Sequence, residues 1–182
     1  MKKPTTSKTT AKPAKSAKPA TKPAKPAKSS KKLPPLFTIG YEHATSQAVL
    51  DALAEAGVEL LVDTRAVAAS RRPGFSKRQL AASLDERGIG YLHLRGLGTP
   101  TEGRNAAHSG HLDEMFRIYE KHVRTPEARE QLDELVSLVT AGRRVCLLCY
   151  ERDVNHCHRR RIAELVCERI ATKTDNLVPS PV

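Results

Sequence analysis

The sequence predicts an α/β fold: a mostly parallel sheet of four or five strands flanked by helices, with a disordered basic N-terminal tail. Short apolar strands alternate with helical segments along most of the chain, and one strand is apolar at every position. Alternation of this kind is typical of a parallel sheet that is covered on both faces. The excess positive charge lies at the N-terminus, so we divide the chain into residues 1–32 and a single domain at 33–182.

The N-terminal segment is predicted to be disordered because it is rich in lysine and proline. Residues 1–32 contain 11 lysines and no acidic residue, whereas the remaining 150 residues contain 20 basic and 20 acidic side chains. Proline removes backbone donors and like charges repel, so no packed structure is expected there. Such a segment either binds the phosphates of DNA or RNA or serves as a solubilising linker.

Several classes of protein are excluded by composition. No apolar run approaches the roughly 18 residues needed to span a bilayer, so no membrane partner is expected. The N-terminus lacks the hydrophobic stretch of a secretory signal, and four cysteines in such a chain do not indicate a disulfide framework. We therefore expect a cytoplasmic protein.

The domain is expected to begin with a strand, a helix and a second strand. Residues 36–39 form a short apolar run, which indicates a strand. A helix is predicted over 46–56, with Thr45 or Ser46 at its N-cap and Gly57 just past its end. The apolar run that closes at residue 63 predicts the second strand, over 59–63.

A second helix and a third strand follow. Ser76 and Gln79 have the spacing of a capping box, which predicts a helix over 76–87. Residues 90–94 form the third strand. Residues 96–110 are a polar stretch for which no element is predicted.

The last third of the chain alternates helices with apolar segments. Helices are predicted over 111–124 and 126–141, the second with Thr125 as its cap. Residues 145–149 (VCLLC) are apolar throughout and indicate a central strand. The remaining predicted elements are a helix over about 155–171 and a short strand around 176–178.

Polar or glycine-rich segments follow all four of the main predicted strands. Open parallel sheets bind ligands beyond the carboxyl ends of their strands, so these segments are expected to form one pocket. The candidate site residues are Tyr41, Asp63, Arg65, Ser70, Arg71, Cys149, Glu151, Cys157, His158 and Arg159.

Arginines and carboxylates at these positions indicate an anionic ligand. Arg65, Arg71 and Arg159 have the geometry to hold a phosphate or carboxylate. Asp63 or Glu151 would orient the ligand or take a proton. The alternative is that these groups form ion pairs with structural roles.

Cys149 and Cys157 are the candidate reactive thiols. Cys157 is expected in the first turn of the last helix, where the helix dipole and nearby arginines lower a thiol pKa. Helical phase allows it to reach the pocket only if the helix begins at or after it. Cys149 and Cys157 are either a nucleophile with its resolving thiol or two buried structural cysteines, and the sequence does not decide between these roles. Cys146 and Cys167 are expected to be structural.

No metal ligands are assigned from the sequence. Cys146 and Cys149 lie three apart in a strand and point to opposite faces, so they do not share a metal. A set drawn from Cys149, His156, Cys157 and His158 stays an alternative. No cofactor is identified.

The segments TIGYEH, LVDTRAVAASRRPGF, GIGYLHLRGLG and LLCYERDVNHCHRRRIAEL resemble the DUF488 family of prokaryotic α/β proteins over about residues 37–166. Cys149 and Glu151, followed by Cys157, His158 and Arg159, form the most specific part of this resemblance. The resemblance implies an α/β fold and a site and supplies no reaction.

The leading hypothesis is an enzyme-like domain that binds a small anionic ligand, a nucleotide or another component of nucleic acid, and is tethered to nucleic acid by residues 1–32. One alternative is a non-catalytic module associated with nucleic acid. Another is a metal or redox sensor that uses Cys149 and Cys157. The sequence leaves open whether the chain is an enzyme.

Overall fold

The computed structural model describes residues 32–180 and contains a five-stranded parallel sheet. The strands lie in the order β3-β2-β4-β1-β5, which confirms the predicted α/β fold. The predicted basic tail lies outside the described residues, and the division at residue 32 stays a prediction. The strands are β1 (Leu36–Gly40), β2 (Leu60–Asp63), β3 (Gly90–His93), β4 (Val145–Cys149) and β5 (Thr174–Leu177).

Six α-helices cover the two faces of this sheet. They are α1 (Ser46–Glu55), α2 (Lys77–Asp85), α3 (Thr101–His108), α4 (Leu112–His122), α5 (Pro126–Thr140) and α6 (Arg159–Arg169). No helix among residues 32–180 has the length and apolarity that a membrane span requires.

Alternate residues of the central strand β4 pack into two separate hydrophobic cores, one on each face of the sheet. Val145 and Leu147 pack with buried side chains of α4, α5 and α6. Cys146 and Leu148 pack on the other face with α1 and α2. All five residues of β4 are buried, as the apolar run predicted for a strand covered on both faces.

Two predicted local features differ from the structure. The stretch 96–110 contains the 3₁₀ turn Arg95–Leu97 and helix α3 rather than only loop. Ser76 is the N-cap residue of α2, but its side chain does not form the expected capping bond. Its hydroxyl instead donates to the Ser70 carbonyl at 3.0 Å and accepts from the Ser70 N–H at 3.2 Å. That pairing occupies the hydroxyl and closes the loop before α2.

The segments after β1 and β4 are held side by side by backbone hydrogen bonds. The N–H of Tyr41 donates to the Cys149 carbonyl at 3.3 Å, and the N–H of Glu42 donates to the Tyr150 carbonyl at 2.8 Å. Gly40 permits this approach, because a Cβ added there would lie 1.8 Å from the carbonyl oxygen of Glu151.

Gly40→Ala is therefore expected to destabilise the protein by about 1–3 kcal/mol, since the backbone must shift to relieve the clash. Urea unfolding followed by circular dichroism measures the change. Gly90→Ala is the matched control, because the nearest atom to its new Cβ is the end of the flexible Leu60 side chain at 3.2 Å. Equal losses in the two variants would contradict the assigned role of Gly40.

Candidate functional site

The candidate site lies at the carboxyl edge of the sheet, where β2 and β4 end side by side. Asp63, the last residue of β2, is in register with Leu148 of β4, and Cys149 follows directly. Cys149 is also in register with Gly40, the last residue of β1. The expectation that residues from separate strand ends meet at one edge is confirmed for these positions.

Asp63 and Arg65 form a buried bidentate ion pair. Arg65 Nε donates to Asp63 Oδ1 at 2.8 Å, and Nη2 donates to Oδ2 at 2.6 Å. The Asp63 side chain is fully buried, and that of Arg65 is 6% exposed. The Arg65 backbone N–H and the Tyr91 hydroxyl complete the contacts of the carboxylate, at 3.1 and 2.7 Å. These four donors fill the roughly four acceptor positions that a carboxylate has.

Hydrogen bonds keep Asp63 ionised in spite of its burial. Burial by itself raises the pKa of Asp63, but the hydrogen bonds and charge of Arg65, with the Tyr91 hydroxyl, outweigh it and hold the pKa below its usual value. The carboxylate therefore faces Arg65 and Tyr91 rather than a free ligand. Arg65 Nη1 donates to the Tyr41 hydroxyl at 2.9 Å, so this guanidinium is largely engaged as well.

Cys149, Cys157 and His158 form a compact buried cluster beside this ion pair. The two sulfur atoms and a ring nitrogen of His158 all lie within 4.8 Å of one another. His158 Nδ1 is 3.6 Å from the sulfur of Cys149 and 3.8 Å from that of Cys157. His158 Nε2 is 3.0 Å from the Thr64 carbonyl oxygen, which only accepts. In the neutral ring the proton therefore belongs on Nε2 and Nδ1 presents its lone pair to both sulfurs, whereas in the doubly protonated ring Nδ1 donates to a thiolate.

The two thiols of the cluster have opposite pKa shifts. Burial opposes ionisation of Cys157, but the hydrogen bond from Cys149 and the neighbouring His158 outweigh it, so its pKa lies well below the ordinary value. The hydrogen bond to Cys157, together with burial, raises the pKa of Cys149 well above it. Burial in the sheet core raises the pKa of Cys146.

Cys157 precedes the last helix, so its predicted position in the first helical turn is wrong. A 3₁₀ turn at Val154–His156 comes first, Cys157 is extended with φ −123° and ψ 140°, and α6 begins at Arg159. The Asp153 carboxylate accepts from the Asn155 N–H at 2.8 Å and caps the short turn. The condition for Cys157 to reach the pocket, a helix that begins at or after it, is met.

Arg159 is buried and ties the segment after β4 to the rest of the sheet. It donates to the backbone carbonyls of Glu151 and Arg152 and lies 3.4 Å from the Thr38 hydroxyl. Within the described part of the chain, no carboxylate forms an ion pair with Arg159. Its side chain forms no hydrogen bond or ion pair with the carboxylates of Asp63 and Glu151, the two partners considered from the sequence.

A cavity of about 180 Å³ opens beside the cluster. Its wall includes six of the ten predicted site residues: Tyr41, Arg65, Cys149, Glu151, Cys157 and His158. Burial, together with the charges of Glu42 and Cys157, raises the pKa of the half-buried Glu151. The wall also includes residues that the sequence did not indicate, among them Thr99, Arg104, His108, Met115 and Tyr150.

The other four predicted residues lie outside the cavity wall. Asp63 is behind Arg65, and Arg159 is engaged as described above. Ser70 pairs with Ser76, and Arg71 is exposed. A ligand role for Ser70 or Arg71 stays a prediction.

Comparison with protein families gives one match. The model of the family described as "Domain of unknown function DUF488" matches residues 45–166, more than half of the chain. The chain belongs to the DUF488 family. No curated protein and no solved structure matches it. The DUF488 match includes the Asp63–Arg65 pair and all three members of the Cys149, Cys157 and His158 cluster.

The DUF488 match confirms the family that the sequence motifs indicated, and it brings no reaction with it. A chemical role for the site is therefore inferred from the geometry of the Cys149, Cys157 and His158 cluster. That geometry joins two sulfurs and one imidazole nitrogen at the wall of a cavity, with the second imidazole nitrogen held by a backbone carbonyl.

Proposed function

We propose that Cys149, Cys157 and His158 bind a thiophilic divalent cation, with zinc as the first choice, in a centre whose remaining coordination position faces the cavity. Sulfur and imidazole ligands are the set that zinc prefers. The sequence indicated such a centre only as an alternative, because Cys149 and the 157–158 pair come together only through the path of the loop after β4.

The spacing of the three ligand atoms is the observation that carries this proposal. With Zn–S of about 2.3 Å and Zn–N of about 2.0–2.1 Å, a tetrahedral angle places sulfur and nitrogen about 3.6 Å apart. The distances from His158 Nδ1 to the two sulfurs are 3.6 and 3.8 Å. The two sulfur–nitrogen distances thus match those of a tetrahedral site, and the two sulfur atoms lie within 4.8 Å of each other.

The hydrogen bond between His158 and Thr64 supports the same interpretation. Histidine ligands of metals generally donate their other ring N–H to a carboxylate or a backbone carbonyl, which fixes the tautomer and the ring orientation. His158 Nε2 has such a partner at 3.0 Å. The ring also packs against Tyr119, with ring centroids 5.2 Å apart, and this contact restricts its rotation.

Three protein ligands beside a cavity are typical of catalytic rather than structural zinc. Structural sites use four protein ligands, whereas catalytic sites leave one position for water or substrate. Within residues 32–180, the cluster contains three potential ligands, and all three line the cavity. A cation there would act as a Lewis acid on a small ligand, so we propose a metal-dependent enzyme.

The decisive experiment is metal analysis of the purified full chain with cobalt substitution. One equivalent of zinc is expected, and Co²⁺ should give the charge-transfer absorption of thiolate ligands. Cys157→Ser and His158→Gln should lose both signals, while Cys167→Ser, at a half-buried position outside the cluster, should keep them.

Absence of bound zinc or cobalt in the reduced protein would contradict the metal centre. If Cys149 and Cys157 then reacted with an alkylating reagent faster than Cys146, the nucleophilic or redox role considered from the sequence would be favoured. Because the cluster requires reduced thiols, we also propose a reducing compartment such as the cytoplasm.

We further propose that the lysine-rich segment 1–32 binds polyanions such as DNA or RNA. It contains 11 lysines and no acid, while the rest of the chain is formally neutral. If about half of the lysines contact phosphates, the logarithm of the affinity should fall with the logarithm of salt with a slope of about −5.

Fluorescence anisotropy with labelled duplex DNA measures this slope for the full chain and for residues 33–182. The shorter chain should lose most of its affinity and of its salt dependence. Equal slopes for the two chains would instead place the polyanion site on the domain.

A further inference from the structure

We propose that the cavity beside the cluster binds a small aromatic carboxylate, with its ring against Tyr150 and Met115 and its carboxylate on Arg104. This inference rests on the proposed function in placing the ligand at the open position of a metal centre. The contact with Arg104 holds without the metal, so the two proposals can fail separately.

The size of the cavity suits one ring with a short substituent. A cavity of about 150 Å³ lined by apolar side chains holds benzene in another protein. The cavity here has a volume of about 180 Å³. A benzene ring with one carboxylate therefore fits inside it.

The mouth of the cavity exposes apolar side chains. Val67 is 54% exposed and Tyr150 is 40% exposed, and both line the cavity. Within residues 32–180 they are two of the three large hydrophobic residues that are exposed, the third being Val178. Exposed apolar groups gathered around a cavity mark a ligand site, because burial against an apolar ligand removes them from water.

The aromatic wall is preorganised. Tyr41 stacks on Phe75 with ring centroids 4.2 Å apart, and Tyr150 meets Tyr41 edge to face at 5.4 Å. The hydrogen bond from Arg65 to the Tyr41 hydroxyl fixes the second end of that ring. A flat aromatic ligand gains contact with Tyr150 without requiring these rings to be ordered first.

Arg104 supplies the positive charge. Its guanidinium donates to the Thr99 carbonyl at 2.8 Å and lies 3.2 Å from the Thr101 hydroxyl, and both acceptors are neutral. No carboxylate among the described residues forms an ion pair with it. Two of its five N–H donors are used, and the remaining donors match the two oxygens of a carboxylate.

The other arginines near the site are already occupied. Arg65 is paired with Asp63, and Arg159 donates to backbone carbonyls. In this proposal Arg104 therefore binds the anion, in place of Arg65 and Arg159, which the sequence had indicated for that role. Glu151 also lines the cavity, and its charge disfavours a ligand carboxylate placed beside it.

The test compares benzoate with benzamide, which has the same shape and no charge. Isothermal titration of the full chain should give benzoate an affinity at least roughly tenfold higher, because a hydrogen bond to a charged group is worth more than one to a neutral group. Arg104→Met should reduce benzoate to the level of benzamide. Arg95→Met is the matched control, since Arg95 is exposed and does not line the cavity.

A purely structural role for Arg104 would weaken both ligands equally, so the ratio of the two affinities is the readout. An unchanged ratio in Arg104→Met, or equal affinities for the wild type, would overturn the inference. Titrations with and without zinc separate the two proposals. Zinc binding without benzoate selectivity contradicts the carboxylate site alone, and selectivity without zinc binding contradicts the metal centre alone.

Discussion

Asp63→Asn is expected to lower the free energy of unfolding by about 3–5 kcal/mol, because it leaves the buried Arg65 guanidinium without a countercharge. Asparagine keeps the shape of the side chain, but its NH2 group replaces one acceptor oxygen, so the donors on that side lose their partner together with the countercharge. Urea unfolding at pH 7, followed by circular dichroism, measures the loss.

Asp133→Asn is the matched control, because Asp133 pairs with Arg169 at 2.5 Å with both side chains exposed. Exposed ion pairs contribute little, so the unfolding midpoint of this variant should be nearly unchanged. If the two substitutions cost the same, the Asp63–Arg65 pair is not the stabilising contact described here.

The contribution of Asp63 also depends on pH. Its pKa is lower in the folded protein than in the unfolded chain. The stabilisation is therefore complete above the unfolded value of about 3.9 and is lost as the pH falls through the folded value. The difference in stability between wild type and Asp63→Asn should shrink below about pH 4, and a constant difference would contradict this assignment.

The order of elements could be predicted from the sequence, whereas the order of strands in the sheet could not. Apolar runs such as Val145–Cys149 indicate buried strands, since only a strand covered on both faces needs apolar side chains at every position. Nothing in that pattern states that β4 lies between β1 and β2. The position of β4 is what brings Cys149 beside Asp63.

Helix α3 was not predicted from the sequence because its residues have little apolar periodicity. Of its eight residues only Gly103 and Ala106 are buried. Gly103 packs closely, since a Cβ there would lie 2.7 Å from a methyl group of Thr99. Glycine counts against a helix in any pattern, although here the close packing requires it. The missed helix carries Arg104 and His108, and both wall residues were missed with it.

The start of α6 decided the position of Cys157, and no periodic pattern marks that start. Polar and charged residues fill the stretch from Glu151 to Arg161 with few apolar positions. The capping of the 3₁₀ turn by Asp153 ends one short element before the helix begins. The members of the cluster could therefore be predicted as candidates, whereas the meeting of their side chains could not.

Zinc is expected to stabilise the folded chain by about 4 kcal/mol at a free concentration a thousand times its dissociation constant, because the unfolded chain lacks the preformed cluster. Thermal unfolding in the presence of a reductant, with zinc or with a chelator, measures this difference. Cys157→Ala should abolish it, since two ligands remain.

Cys167→Ser is the control for the loss of a thiol outside the cluster, and the zinc-dependent shift of its melting temperature should equal that of wild type. His158→Ala separates ligation from thiol chemistry, because it keeps both sulfurs and removes the ring nitrogen that faces them. A full zinc shift in His158→Ala would show that the metal is held by the cysteines without the imidazole. The proposed Cys₂His centre would then be wrong even though zinc binds.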